Sequence, residues 1–156
     1  MTLITRERID AFYRHKRIAV IGASRDKRKY GRQLFEALAQ KGFDVIAVNP
    51  SAERIGEHPC HHSILEVTPA VGTAIAVVPP AQQERIVGEC ARAGVKRLWI
   101  HEHVLKGISN PRAIYLCEEQ GIEVITGYCP FMYLPKPGFP HNLHGWVTKL
   151  CGGHPQ

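Results

Sequence analysis

The sequence predicts an α/β protein: a doubly wound parallel sheet of five strands in the order 3-2-1-4-5, with flanking helices, an extra N-terminal helix and a C-terminal helical tail. Three observations carry this. Short β-branched apolar runs alternate with longer segments of helical periodicity between residues 18 and 126, as strands joined by crossover helices do. Glycines at 42, 94 and 121 close the helical segments, where a left-handed residue ends a helix. The first strand runs through a glycine turn directly into a helix. Right-handed crossovers with a reversal after the third strand give the stated order. That order puts a ligand at the carboxyl ends between strands one and four, with Gly22 and His101 facing each other across one crevice.

Taken in order, Thr5 is placed as an N-cap and Ile4 and Ile9 as a hydrophobic staple. The helix they start runs to about His15, buries Ile9, Phe12 and Tyr13, and covers a face or edge of the sheet. Ile18-Ala19-Val20-Ile21 is a buried strand. Gly31 opens an amphipathic helix with Leu34, Phe35 and Leu38 on one face, ended by Gly42. Asp44 to Asn49 is the second strand. Residues 53–62 have little periodicity and read as an irregular loop, after which Ser63 caps a short turn through Leu65 and Val67, stopped by Pro69. Thr73 to Val78 is the third strand, and Gln82 to Ala93 a helix burying Ile86, Val87, Cys90 and Ala91. Arg97 to Ile100 is the fourth strand. Ser109-Asn110-Pro111 starts a helix with proline in its first turn, running to Gln120. Glu123 to Thr126 is the fifth strand.

The stretch from Gly22 to Gly31 carries the chemistry. A strand, a glycine turn and a helix N-terminus leave backbone N–H groups outward and a dipole that favours an anion. The pattern is not the dinucleotide fingerprint G-x-G-x-x-G: Ser24 stands at the second glycine position and the next glycine is delayed to Gly31. It is not a Walker loop, since no glycine is followed by Lys and Ser or Thr. The loop carries Arg25, Lys27, Arg28 and Lys29, more positive charge than one diphosphate needs, which suits a ligand with an additional phosphate. The second strand ends in Asn49-Pro50, where an NAD-binding protein places a carboxylate for the ribose hydroxyls. Its absence leaves room for a ribose phosphate.

Composition narrows the classes. With 156 residues, 44% hydrophobic and 22% charged, the chain reads as one soluble domain, large enough to bury about 70% of its unfolded surface. No apolar run approaches the ~20 residues of a membrane span, and residues 1–17 lack a signal core, so a cytoplasmic protein is expected. The net charge of +6 favours anionic partners, but only the glycine loop is densely basic and no aromatic-interleaved stripe is present. A small polyanion is expected, not nucleic acid. Five cysteines without a Cys-x-x-Cys do not suggest disulfides, and Cys90 and Cys117 fall on buried helical faces.

The segments Ile18-Ala19-Val20-Ile21-Gly22-Ala23-Ser24, Lys29-Tyr30-Gly31, Gly42-Phe43 and Val48-Asn49-Pro50 resemble the CoA-binding domain family. This is the Rossmann-like module at the front of succinyl-CoA synthetase alpha subunits and ADP-forming acyl-CoA synthetases. The likeness continues through Val77-Val78-Pro79, Leu98-Trp99-Ile100 and Cys129-Pro130. It spans roughly residues 15 to 130, and stand-alone members of about this length exist. The resemblance implies coenzyme A or acyl-CoA binding, with the pyrophosphate or 3′-phosphate near Gly22, Ala23, Ser24 and Lys29. Arg25, Tyr30 and Gly31 complete the loop, Asn49, Pro50, Val78 and Pro79 line the nucleotide pocket, and His101 faces it. The synthetases phosphorylate a histidine in a later domain and need a nucleotide-grasp domain, so binding is carried over and ligase activity is not.

On this reading residues 1–16 are a preceding helix, 17–130 the binding domain and 131–156 an extension. In the extension, Leu143, Trp146, Val147 and Leu150 form an apolar stripe that packs on the domain or at a homodimer interface. Other readings stay open. One is a small NADP-dependent oxidoreductase, with Arg25 and Lys27 meeting a 2′-phosphate. Another is thiol exchange between Cys129 and the CoA thiol, against a cysteine that simply packs. Cys60-His61-His62, His101 with His103, and His141 with His144 are imidazole or thiolate groupings that metals favour, but none has a full ligand set nearby, and surface or loop histidines are the ordinary alternative.

Overall fold

The computed structural model describes residues 3–102 and 109–135. Its sheet has seven strands: β1 (Arg17–Ile21), β2 (Asp44–Val48), β3 (Arg54–Ile55), β4 (His58–His61), β5 (Thr73–Ala76), β6 (Arg97–Ile100) and β7 (Glu123–Ile125). They lie in the order β3-β4-β2-β1-β5-β6-β7. All pairings are parallel except that of the short edge strand β3 with β4.

The five-strand order expected from sequence is therefore corrected. The strand at Thr73–Ala76 pairs with β1, Ala19 opposite Ala74 and Ile21 opposite Ala76, and does not lie beyond β2. The place beside β2 belongs to β4, from the segment read as an irregular loop. Its proline explains the misreading. Pro59 has no N–H to give a ladder, but β4 meets β2 only from Cys60 onward, while Pro59 faces Arg54 of the edge strand. With β4 counted, the six parallel strands run 3-2-1-4-5-6, and the reversal falls between β1 and β5.

Strand alternation distributes the core. Ile18 and Val20 of β1, Ile75 of β5, Trp99 of β6 and Ile125 of β7 belong to one buried cluster; Ala19, Ile21, Ala74, Ala76, Leu98 and Ile100 belong to the other. Helices α1 (Arg6–Arg14) and α2 (Tyr30–Gln40) cover the first side with Ile9, Phe12, Tyr13, Leu34, Phe35 and Leu38. Helices α3 (Pro80–Ala93) and α4 (Pro111–Glu119) cover the second with Ile86, Val87, Cys90, Ala113 and Cys117. The first side is aromatic: Phe12 meets Trp99 edge-on at 5.3 Å and Tyr13 meets Phe43 at 5.9 Å. Burying side chains of this size contributes roughly 1.5–3 kcal/mol each, which accounts for an N-terminal helix held to the sheet.

The helix starts follow the sequence reading closely. The Thr5 side chain accepts from the Arg8 N–H, the Ser63 side chain from Leu65, and the Asn110 side chain from Arg112. Cys90 and Cys117 are fully buried, and burial pushes both thiols up to about 12. At the C-cap of α1, burial and then the Arg97 charge push the pKa of His15 down. The expected helix at 142–150 lies outside the described residues, as do His103, His141 and His144.

Candidate functional site

Strand register places the candidate residues in a row. Ile21 is opposite Val48 on one side and Ala76 on the other, and Ala76 is opposite Ile100. The next residues, Asn49, Gly22, Val77 and His101, therefore stand side by side at the carboxyl edge of β2, β1, β5 and β6. Each extends the ladder by one backbone bond: Asn49 N–H to His61 O at 2.9 Å, Gly22 N–H to Val48 O at 2.9 Å, Val77 N–H to Ile21 O at 2.7 Å, and His101 N–H to Ala76 O at 2.9 Å.

This row corrects the expected crevice. Gly22 faces Val77, because β5 lies between β1 and β6, and His101 is one strand further away. The imidazole still reaches the site, since its ring stacks on Tyr30, the first residue of α2, at 3.8 Å with the planes 2° apart. His101 is buried. The Tyr30 hydroxyl lies 3.3 Å from Cys129 Sγ, and the Tyr30 ring packs edge-on against Phe131.

The two glycines of the loop are required by backbone contact. Gly22 has φ +94°, and a Cβ there would lie 2.1 Å from the Val77 carbonyl oxygen. A Cβ on Gly31 would lie 2.1 Å from the Gly22 carbonyl oxygen. The N-terminus of α2 is thus pressed onto the turn after β1. Because the Gly22 N–H is already given to Val48, the groups left for a ligand are further along. The N–H groups of Ala23, Ser24 and Gly31 have no acceptor among the described residues. No side chain caps α2 and no acidic residue sits in its first turn. Among the described residues, the dipole end of this eleven-residue helix is open.

The basic loop is sorted by its own contacts. Arg28 is not available as the sequence reading supposed, because it makes a bidentate pair with Asp26, Nε to Oδ1 at 3.1 Å and Nη2 to Oδ2 at 3.0 Å. The Asp26 carboxylate also accepts from the Arg28 backbone N–H at 2.9 Å, and its pKa is held down at about 2, first by the Arg28 side-chain hydrogen bond. The Ser24 hydroxyl accepts from the Asp26 N–H at 3.1 Å. Arg25, Lys27 and Lys29 are exposed and carry no side-chain hydrogen bond or ion pair among the described residues. Three exposed cations without a side-chain hydrogen bond or ion pair among the described residues therefore lie in the loop that leads into this helix end.

Asn49 has a role the missing acid only hinted at. Its Nδ2 donates to the Ala23 carbonyl at 2.6 Å and its Oδ1 accepts from the Ser51 N–H at 2.8 Å. An amide meets both needs; a carboxylate has no donor for Ala23 O. Pro50 beside it is exposed, Val78 is half-buried, and Pro79 is the exposed residue from which α3 starts. Sequence reasoning missed Arg32 and Gln33, which hold the loop from below: Arg32 Nη1 donates to Arg25 O at 3.3 Å, and Gln33 Nε2 approaches Lys27 O and Arg28 O at 3.3 and 3.4 Å. Their signal is faint, a polar pair in the first turn between two apolar positions. Among the described residues no grouping of His, Cys, Asp or Glu is arranged for a metal, and no helix is long and apolar enough to cross a membrane.

Comparison with known proteins identifies the family and the fold. A family model described as CoA binding domain matches residues 16–135. An ADP-forming acetate–CoA ligase II of Archaeoglobus fulgidus is 42% identical over 89 residues, which are 56% of this chain and 13% of the ligase. The chain spans 12% to 20% of the length of the curated ligases it matches. Among solved structures, a conserved hypothetical protein from Pyrococcus furiosus is 30% identical, with 75% of this chain and 97% of that one covered and a TM-score of 0.66. A hypothetical protein from Pyrococcus horikoshii shares the fold at a TM-score of 0.76 and 24% identity, over 83% of this chain and 89% of that one.

Proposed function

The chain belongs to the CoA binding domain family, and from that premise we propose that it binds coenzyme A or an acyl-CoA at the carboxyl edge between β1 and β5, as a binding module without ligase activity. The observation that carries this is the open N-terminus of α2. Its Gly31 N–H lies against the turn at Gly22, where the strand order reverses, and the loop between them carries the exposed Arg25, Lys27 and Lys29. Ala23, Ser24 and Gly31 offer N–H groups to the pyrophosphate. The three cations take the remaining phosphate charge, and the side chain at 49 brings no carboxylate against a phosphorylated ribose. Asn49, Pro50, Val78 and Pro79 flank the nucleotide, and Tyr30 with His101 closes the far side. The acetate–CoA ligation named for the longer relatives is not carried over, because the match covers a small part of them.

Calorimetric titration with coenzyme A, dephospho-CoA and NADPH tests this. Coenzyme A binds, and loss of its 3′-phosphate weakens binding by roughly tenfold or more, as removal of a charge-assisted phosphate contact does. Binding of NADPH without coenzyme A overturns the proposal in favour of an oxidoreductase, and equal affinity for coenzyme A and dephospho-CoA removes the extra phosphate from the basic loop.

A further inference from the structure

Arg32 is an arginine in the wrong place for a surface helix. It lies in the first turn of α2, its side chain 9% exposed, between the buried Gly31 and Leu34. Burying a guanidinium is costly unless its donors are used. Here two of them are hydrogen-bonded, and the guanidinium touches a third segment by packing. Nε donates to Glu36 Oε1 on the same helix at 2.7 Å. Nη1 donates to the Arg25 carbonyl in the basic loop at 3.3 Å. Nη2 packs against Gly56, in the turn between β3 and β4, so closely that a Cβ there would lie 3.0 Å from it.

The position of these contacts matters more than their number. Arg25 is the first free cation after the Gly22 turn, and its carbonyl is pulled down onto α2. Gln33, the next residue of the helix, does the same at Lys27 and Arg28. The Asp26, Arg28 and Lys29 N–H groups are used inside the loop, so what the tied carbonyls leave for a ligand is the exposed side chains of Arg25 and Lys27. The glycine at 56 belongs to the segment that follows Asn49-Pro50, so the same guanidinium sets the spacing between the basic loop and the nucleotide side of the cleft. Glu36 already balances the charge of Arg32, which therefore acts through Arg25.

We propose that Arg32 is a positioning residue for phosphate selectivity: by fixing the Arg25 backbone against α2 and the Gly56 turn, it holds the Arg25 guanidinium where a ribose phosphate lies. This rests on the coenzyme A reading. It separates the work of two parts of the loop. The Gly22 turn and the α2 N-terminus hold the pyrophosphate of any such ligand; the Arg32-anchored stretch at 25–28 discriminates the additional phosphate.

The test is Arg32→Lys, which keeps a positive charge near Glu36 and loses the fork that reaches Arg25 O and Gly56. Affinities for coenzyme A and dephospho-CoA are measured in wild type, Arg32→Lys, Arg25→Ala and the double variant. Arg32→Lys lowers coenzyme A affinity by roughly tenfold and leaves dephospho-CoA within about twofold, and in the Arg25→Ala background the Arg32→Lys effect disappears. An equal loss for both ligands, an undiminished loss without Arg25, or an unchanged ratio overturns the inference. Failure of the coenzyme A reading looks different: wild type itself then binds neither ligand, whereas equal binding of both by wild type overturns the selectivity inference and leaves that reading standing.

Discussion

Helices α2 and α4 both begin at the carboxyl edge of the same parallel sheet, yet only one end is left open. At α4, Asn110 caps the first turn and Pro111 removes an N–H. At α2 the N-cap is Lys29, which makes no capping bond, and the helix is pressed against the Gly22 turn. Helix α3 gives a third case: Pro79 and Pro80 stand at its start, and its first basic residue, Arg85, is tied to Glu89. A helix N-terminus does not by itself make an anion site. Lack of a side-chain cap is shared by α2 and α3; what distinguishes α2 is the glycine contacts that bring the turn close and a preceding loop with three exposed cations that make no side-chain hydrogen bond or ion pair among the described residues.

The largest expected effect comes from breaking the close approach at α2. Gly31→Ala drives a Cβ to 2.1 Å from a backbone oxygen and is expected to cost about 3 kcal/mol, within the range of overpacked cores, measured by urea denaturation, with loss of coenzyme A binding. The contrast is Gly88→Ala in α3, where a Cβ meets nothing within 4 Å; it is expected to stabilise the protein by about 0.5–1 kcal/mol and to leave binding alone.

The next test makes α2 resemble α4. Lys29→Ser supplies a cap and removes a free cation. Stability is expected to rise by about 0.5–1 kcal/mol, while coenzyme A affinity falls roughly tenfold, less at high salt. Asn110→Ala is the reverse case, costing about 1 kcal/mol with no change in binding. If Lys29→Ser kept full affinity, the open helix end would not be the anion site.

The smallest expected effect concerns Asp26, which withholds Arg28 from the ligand. Its carboxyl is held at about 2 against an ordinary 3.8, chiefly by the Arg28 side-chain hydrogen bond. Because the folded value is depressed, the pair's contribution is fully present above the unfolded value and is lost as pH falls through about 2. Between pH 5 and 8 the pair stays intact, so coenzyme A affinity shows no step from it. Asp26→Asn frees Arg28 and is expected to tighten binding by roughly threefold at low salt, read by calorimetry.

Much of this was legible in the chain. The strand at 18–21, the glycine turn, the caps at Thr5, Ser63 and Asn110 and the buried faces of all four helices follow from local chemistry that the structure repeats. The strand order was not legible, because β3 and β4 are short, flank a turn at Gly56, and β4 carries Pro59; their pairing depends on the free edge of β2 and not on their own propensity. Within the candidate segment, the partners each group already has were not legible. Sequence offers Gly22, Arg28 and Asn49 as ligand contacts, whereas in the structure the Gly22 N–H is spent on Val48, Arg28 on Asp26 and the Asn49 amide on Ala23 and Ser51. Such assignments depend on which neighbour a group meets first, and only folding decides that.

The central claim is that the N-terminus of α2, with its glycine turn and free cations, holds the phosphates of coenzyme A. Backbone amide NMR during titration with coenzyme A tests it most directly. The account predicts saturable shifts largest at Ala23, Ser24 and Gly31, extending to Asn49, Val78 and His101. Binding with those amides unmoved, or with shifts confined to the groove between α3 and α4 at Val87, Ala91 and Leu116, would contradict it.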